Sequence, residues 1–224
     1  MKYLKKFEKE ADVMIFVKPN VVLVQETGDV MFNVSPPNGV YVEHVNGALL
    51  TTSQWADGGF ANDEANGVAV ITDAAKFVIA KTKAATSMAW SSDTANAVAG
   101  VLLTDDYSLA RTDYDGKANT NAIAAIDASK AAYTCANYVF PNGDKGYLPA
   151  LGEWVVAHAY LAEVDNAMTL IGGAVMNNTA AYWASTQYDA DEAYTLTWPS
   201  GEIGDPLKSA NKCVRAFKPI ASFA

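Results

Sequence analysis

Between Tyr182 and Phe217 the chain reads YWASTQYDADEAYTLTWPSGEIGDPLKSANKCVRAF, a stretch in which bulky residues recur at intervals and leave small and polar ones between them. Within 193–198, Tyr194, Leu196 and Trp198 alternate with Thr195 and Thr197, the period of a strand with one buried and one exposed face. The inward anchors expected from this pattern are Tyr182, Trp183, Tyr188, Tyr194, Leu196, Trp198, Ile203, Val214 and Phe217. The outward set is Asp189, Asp191, Glu192, Thr195, Thr197, Pro199, Ser200, Glu202 and the GDPL segment at 204–207. That outward set is a candidate binding face, the alternative at 193–198 being a plain amphipathic strand with exposed threonines.

The rest of the chain is long enough to build a scaffold for such a face. Its 224 residues bury a sizeable core as one domain or as one domain with an appendage. Half of the residues are hydrophobic and 18% are charged, a globular balance, and no stretch approaches the roughly 18 consecutive apolar residues of a spanning helix. A membrane partner is therefore not expected. The net charge of -9 argues against a phosphate-backbone footprint, so nucleic acid is not expected as a partner either. The opening MKYLKKFEKEADVMIFV begins with the basic residues of an export signal. Its apolar run, however, contains Asp12 and meets Lys18-Pro19 without a small-residue cleavage site, so no classical signal is expected. Two cysteines, Cys135 and Cys213, are too few for a disulfide scaffold; they are expected to be reduced and buried, with pairing in space as the alternative. His44 and His158 are solitary, which supplies neither a His-based metal site nor a Ser-His or Cys-His pair.

Along the chain, residues 1–37 form an expected N-terminal docking unit, with a short helix over 7–17 and a hairpin made by VVLVQ and VMFNV around Thr27-Gly28-Asp29. The run Ser35-Pro36-Pro37-Asn38-Gly39 marks the boundary to a main domain over 38–224. Short β-type runs follow at 40–45, 67–72, 76–80 and 100–104. Ile123 and Ile126 among alanines predict a helix over 118–136, and a second helix is predicted from Pro149 to the glycine pair Gly172-Gly173. Asp113-Tyr114-Asp115-Gly116 reads as a turn.

Pro141-Asn142-Gly143, the segment GYLPALGEW at 146–154, the block YWASTQY at 182–188 and VRAF at 214–217 together resemble the C-type-lectin-fold variable proteins of diversity-generating retroelements, especially those of Bacteroidales and their phages. The resemblance spans roughly residues 38–220, and the MKYLKKFE opening is similar to that of Bacteroidales phage structural proteins. It implies an α+β domain of the C-type lectin-like fold, in the subtype shared with formylglycine-generating enzymes, with two helices and a small sheet. In that family the C-terminal segment is rewritten by error-prone reverse transcription at template adenines, and the rewritten residues form a solvent-exposed ligand-binding surface. By position, Tyr182, Trp183, Ser185, Thr186, Tyr188, Leu196, Trp198, Gly201, Lys208, Val214, Arg215 and Phe217 match the family's framework. Asp189, Asp191, Glu192, Thr195, Thr197, Pro199, Ser200, Glu202, Gly204, Asp205, Pro206, Leu207, Ser209, Ala210 and Lys212 fall where the family diversifies. The chain departs from the pattern at Ala184, Tyr194 and Cys213, where a second Ser, a Trp and an aromatic are usual.

The genetic code divides the diversified set. An Asn codon randomised at its first two bases reaches Asp, Thr, Pro, Ser, Gly, Leu, Ala or Cys but not Glu or Lys, so Glu192, Glu202 and Lys212 are either fixed or templated by another codon. The expected function is ligand binding without catalysis, cofactor or metal. The expected partner is a host cell-surface protein or glycan, met at a phage tail tip in the virion or, as the alternative, by a bacterial surface adhesin. Homo-oligomers such as trimers, or a virion partner held through residues 1–37, fit that role. The carboxylates at 57–64 lack the spacing of a known calcium loop and read as a solvated turn, and although Asp189, Asp191 and Glu192 could gather a hard cation, the calcium motifs of sugar-binding C-type lectins are absent. The enzymatic alternative, an oxidase of the formylglycine-generating type, requires a nearby pair of reactive cysteines.

Overall fold

The computed structural model describes residues 36–176 and 180–220. The helix and hairpin expected within residues 1–35 lie outside the described residues. In chain order the elements are strands β1 (Gly39–His44) and β2 (Leu49–Leu50), helix α1 (Thr52–Gly58), a 3-10 turn (Asn62–Glu64), and strands β3 (Ala65–Ile71), β4 (Lys76–Ala80) and β5 (Ala85–Met88). Helices α2 (Tyr107–Ala110), α3 (Gly116–Ile126), α4 (Ala131–Asn137), α5 (Leu151–Ala159) and α6 (Leu161–Leu170) follow. The chain closes with strands β6 (Ala180–Gln187), β7 (Ala193–Trp198), β8 (Ile203–Gly204), β9 (Lys212–Val214) and β10 (Phe217–Pro219).

These elements make an α+β architecture with two five-stranded sheets, ordered β10-β4-β3-β1-β2 and β5-β9-β6-β7-β8. The first is antiparallel throughout, while in the second β6 and β9 pair parallel at Tyr182 and Cys213. Strand β3 lies at the centre of the first sheet and is buried along its whole length, as its unbroken run ANGVAVI requires. Gly67 is obligatory there, because a Cβ at this position would lie 2.1 Å from the Ile79 carbonyl oxygen. Arg215 and Ala216 carry the chain from β9 in one sheet to β10 in the other. The buried Arg215 fixes that crossover, donating from Nε to the Ala80 carbonyl (2.9 Å) and from Nη2 to those of Lys81 (3.0 Å) and Ala174 (2.8 Å).

Several sequence expectations change. The helix expected over 118–136 is two helices, because Asp127 turns its carboxylate onto the Ser129 amide (3.1 Å) and hydroxyl (2.9 Å) and onto the Ser92 amide (2.5 Å), competing with the helical ladder. The helix expected after Pro149 breaks at Tyr160 (φ -110, ψ 30) and stops at the glycine pair as expected, with Gly172 at φ +64. The run 100–104 is not a strand and meets the second sheet through a single bridge between Leu103 and Gln187 and through side-chain bonds from Gln187 and Tyr194. Helix α1 was not expected, although Thr51 and Gln54 form a reciprocal cap (3.2 and 2.9 Å) and Gly59 ends it at φ +66. Two helices and a small sheet, the content implied by the resemblance, understate what the described residues hold.

The core divides into two clusters. One gathers Trp154, Tyr182, Tyr194, Leu196, Trp198, Phe77 and Phe217, and the other Trp90, Trp183, Phe140, Leu148, Ile123 and Val214. Strand β6 runs between them and is held by buried indole N–H groups, which need acceptors once removed from water. Trp154 donates to the Trp183 carbonyl (3.0 Å) and Trp90 to that of Ala184 (2.8 Å).

Candidate ligand-binding face

The polar residues of the YWASTQY block serve the interior. Asp113 Oδ2 accepts from the Thr186 hydroxyl (2.7 Å) and from Asn119 Nδ2 (3.0 Å), and Asn119 also reaches Ser185 Oγ (3.2 Å). Thr186 Oγ1 in turn accepts the Leu151 amide (2.9 Å), which is one of the open donors at the start of α5. Glu153 satisfies another, its Oε2 taking the Ala150 amide (2.8 Å) while Oε1 takes the Tyr147 hydroxyl (2.6 Å). Burial raises the Glu153 carboxyl to about 8, with the Tyr147 and Ala150 donors opposing the shift. The turn expected at 113–116 is instead the lead into α3, which starts at Gly116, with Asp113 Oδ1 accepting the Asp115 amide (3.0 Å); Asp113 also joins α3, α5 and β6. That role depends on contacts distant in sequence and left no mark in the local pattern.

Gln187 and Lys208 organise the loop that follows β6. Gln187 spans the backbone of Val98, accepting its amide (2.8 Å) and donating to its carbonyl (3.0 Å). Lys208 is fully buried, and its Nζ donates to Gln187 Oε1 (3.0 Å) and to the carbonyls of Asp189 (3.1 Å), Ala190 (2.6 Å) and Asn96 (3.4 Å). The ammonium also lies 5.0 Å from the Trp90 ring centroid. Burial lowers its pKa, opposed by Asp189, Asp93 and Asp191.

The anchors expected from the alternation are buried at Tyr182, Trp183, Tyr194, Leu196, Trp198, Val214 and Phe217, and half-buried at Tyr188 and Ile203. The expected outward residues divide into groups. At the tip of the β7–β8 hairpin, Pro199, Ser200 and Glu202 are exposed. His158 of α5 supports this tip, its Nε2 2.9 Å from the Pro199 carbonyl and its ring 5.2 Å from that of Trp198. Gly201 (φ +72) sits so close to the imidazole that a Cβ would lie 2.6 Å from it. At the opposite end of the hairpin are Asp189, Asp191, Glu192, Asp205, Pro206 and Leu207, all exposed or half-buried. Asp189 Oδ1 caps its own turn by accepting the amides of Asp191 (3.0 Å) and Glu192 (2.7 Å). Glu192 and Leu207 bridge the two sides of the hairpin here. Between the ends, Thr197 and Gly204 are half-buried. Ser209, Ala210 and Lys212 follow on the approach to β9, exposed at Ser209 and half-buried at the other two.

Thr195 departs from expectation. It is only 3% exposed, and its hydroxyl points at the Gly204 carbonyl (3.3 Å). Strand β7 is interior to its sheet, with β6 and β8 paired along its two edges, and at Thr195 both of its faces are buried as well. The outward positions therefore do not make one continuous patch. Residues 192 and 199 are separated by most of a strand, roughly 20 Å at about 3.3 Å per residue.

The end at 189–192 and 205–207 gains residues from a remote part of the chain. Tyr107 of α2 lies 6.1 Å from Tyr188 and 5.4 Å from Tyr194, with Tyr188 and Tyr194 5.6 Å apart, all edge to face. The Tyr194 hydroxyl donates to the Thr104 carbonyl (2.8 Å), which brings the 103–107 segment against β6 and β7. Burial, and then the neighbouring Asp205 carboxylate, raise the Tyr107 phenol. Burial and then the neighbouring carboxylates Asp205, Asp105, Glu192 and Asp189 raise the Tyr188 phenol, and burial followed by Asp189, Asp205 and Asp191 raises the Glu192 carboxyl. No spacing signal links Tyr107 to a segment some eighty residues later.

Cys135 and Cys213 are both free and buried, Cys135 in the Trp90 cluster and Cys213 in the Trp154 cluster, so the pair considered from the sequence is not formed. Burial raises the Cys135 thiol strongly, and Cys213 Sγ donates to the Thr86 carbonyl (3.4 Å). Among the described residues no group of three or more His, Cys, Asp or Glu side chains is placed to hold a metal ion, and no helix is long and apolar enough to cross a membrane.

No family model matches the sequence, and no curated protein matches it. Among solved structures, the fold is similar to that of a fimbrial protein from Bacteroides ovatus, with a TM-score of 0.56 and 14% sequence identity over 82% of this chain and 49% of that one. The chain thus corresponds to about half the length of that neighbour, and at this identity the likeness is one of fold.

Proposed function

We propose that the chain is a ligand-binding display protein of the C-type lectin-like, retroelement-diversified kind, recognising a cell-surface protein or glycan through the two ends of its β7–β8 hairpin. The observation that carries this reading is a division of labour along one segment. Ser185, Thr186, Gln187, Lys208 and Arg215 are buried and committed to internal hydrogen bonds, while Asp191, Pro199, Ser200, Glu202, Leu207 and Ser209 are exposed. Such a segment tolerates change at the exposed positions because the framework does not use their side chains. Of the two settings, a bacterial surface adhesin is favoured by the likeness to a fimbrial protein, and a phage tail tip remains the setting the sequence resemblance implies. The oxidase alternative requires both thiols at one site, and Cys135 and Cys213 pack in different core clusters.

The test replaces the exposed residues between Asp189 and Lys212 with those of a related sequence, keeping Thr195 and Lys208. Ligand choice on a cell-surface protein and glycan array changes, while Tm stays within a few degrees. Unchanged ligand choice, or a collapse of folding, overturns the reading.

A further inference from the structure

An exposed apolar and aromatic patch lies at the β6–β7 end of the hairpin. Tyr107 is 37% exposed, Leu103 48% and Leu207 49%, and Tyr188 is half-buried beside them. Leu103 bridges to Gln187 and Leu207 to Glu192, which places both leucines next to the Tyr188 to Glu192 turn. Isolated exposed apolar residues are ordinary, but several gathered around one turn mark a contact surface.

The border of this patch is acidic. Asp205, Asp105, Glu192 and Asp189 lie near enough to Tyr188, and Asp189, Asp205 and Asp191 near enough to Glu192, to act on those groups. Lys208, the cation that approaches Asp189 and Asp191 from inside, is buried and spends its protons on Gln187 Oε1 and backbone carbonyls. The surface therefore presents aromatic rings and leucines inside a negative border.

We infer that this patch docks a basic segment of a protein partner, an Arg or Lys lying on the Tyr107 and Tyr188 rings between Asp105 and Asp205, with an adjacent apolar side chain on Leu207. The inference rests on the proposed role of the hairpin as the ligand-binding surface and names the class of partner for one of its ends. Charge complementarity selects the occupant. A guanidinium gains both from the ring faces and from the carboxylates that border them. A neutral glycan gains only stacking, and an acidic one is repelled. Asp105 and Tyr107 lie outside the stretch that the resemblance marks as diversified, so this end combines a fixed half from 103–107 with a replaceable half from 189–207.

The experiment titrates the full chain with a short peptide in which arginines flank a leucine, and with the same peptide carrying glutamates, following binding by calorimetry and by NMR. The arginine peptide binds saturably and more weakly as salt rises, and the glutamate peptide does not bind. Asp105→Asn and Asp205→Asn each weaken binding about two- to fivefold. Tyr107→Phe keeps the ring and most of the affinity, whereas Tyr107→Ala abolishes it. Since Tyr107→Ala also loosens α2, Asp105→Asn is the decisive variant, because it removes charge without removing packing. Equal binding of both peptides, no saturable binding of the arginine peptide, or full affinity in both Asp variants overturns the inference. If the hairpin swap changes ligand choice while the Asp variants do not, this inference fails and the binding reading stands; if the swap changes nothing, the binding reading itself fails.

Discussion

Replacing Lys208 by Met separates the framework from the surface it carries. The ammonium is fully buried and holds Gln187 Oε1 and the Asp189 and Ala190 carbonyls at 2.6–3.1 Å, with the Asn96 carbonyl at 3.4 Å. Two effects oppose each other. Removing a buried charge recovers its desolvation penalty, which for some buried ions makes an apolar replacement neutral. Here the acceptors stay behind, and an unsatisfied buried acceptor costs about 1–3 kcal/mol. The buried Gln187 oxygen keeps the Val98 amide, and the part-buried Asp189 and Ala190 carbonyls partly rehydrate, but four bonds from a charged donor are lost together, so the loss outweighs the recovery by about 3 kcal/mol. For a domain of this size that is a fall in Tm of about 6–12 °C. Thermal unfolding by circular dichroism reads the fall, and NMR shifts concentrated at 96–98 and 187–192 locate it. A fall of less than about 2 °C, or shifts spread evenly over the fold, refutes the assignment of Lys208 as the pin of this loop.

Two further variants test the scaffold. Glu153 is held near 8 by burial, well above the usual carboxylate range, so the folded chain keeps a proton that the unfolded chain has lost. This contribution is complete below about pH 4.5 and is lost as pH rises towards 8, with a slope of up to about 1.4 kcal/mol per pH unit. Glu43, also raised chiefly by burial, acts in the same direction, so the comparison is between wild type and Glu153→Gln in urea unfolding at pH 5 and pH 8. The wild type loses more stability over that interval, and equal losses sink the assignment. Gly67→Ala places a Cβ against the Ile79 carbonyl and lowers stability by about 3 kcal/mol, read as a shift in the urea midpoint; a neutral result shows that β3 and β4 move apart at low cost.

Much of the architecture was legible because it rests on local signals. The apolar runs became β1, β3 and β4, and the glycine pair at 172–173 ended α6. What was missed depends on partners remote in sequence. Nothing in the spacing of Asp127 announces that it will take the Ser92 amide and divide a helix. Thr195 alternates like an exposed residue, yet the neighbouring β8 is a two-residue strand too short to carry a pattern of its own, and it is β8 that closes over the threonine. Lys208 looked like any polar residue between anchors and entered the framework through the resemblance alone. The acidic border was half visible, in Asp189, Asp191, Glu192 and Asp205, and half hidden in Asp105 and its neighbour Tyr107.

The geometry of the hairpin gives the two ends different mechanics. The tip at 199–202 rests on α5 through His158 and Trp198, with Gly201 packed against the imidazole. The other end rests on Lys208, Gln187 and the tyrosines, and shares none of those partners. The strands joining them are paired through Thr195 with Gly204 and Leu196 with Ile203, over a core of Tyr194, Leu196 and Trp198. Sites about 20 Å apart with no common contacts respond to substitution additively. A change at the tip therefore leaves the aromatic end as it was, and a substitution at either end does not retune the other. That independence follows from burying the middle of the strand, the same feature that removes Thr195 from the surface.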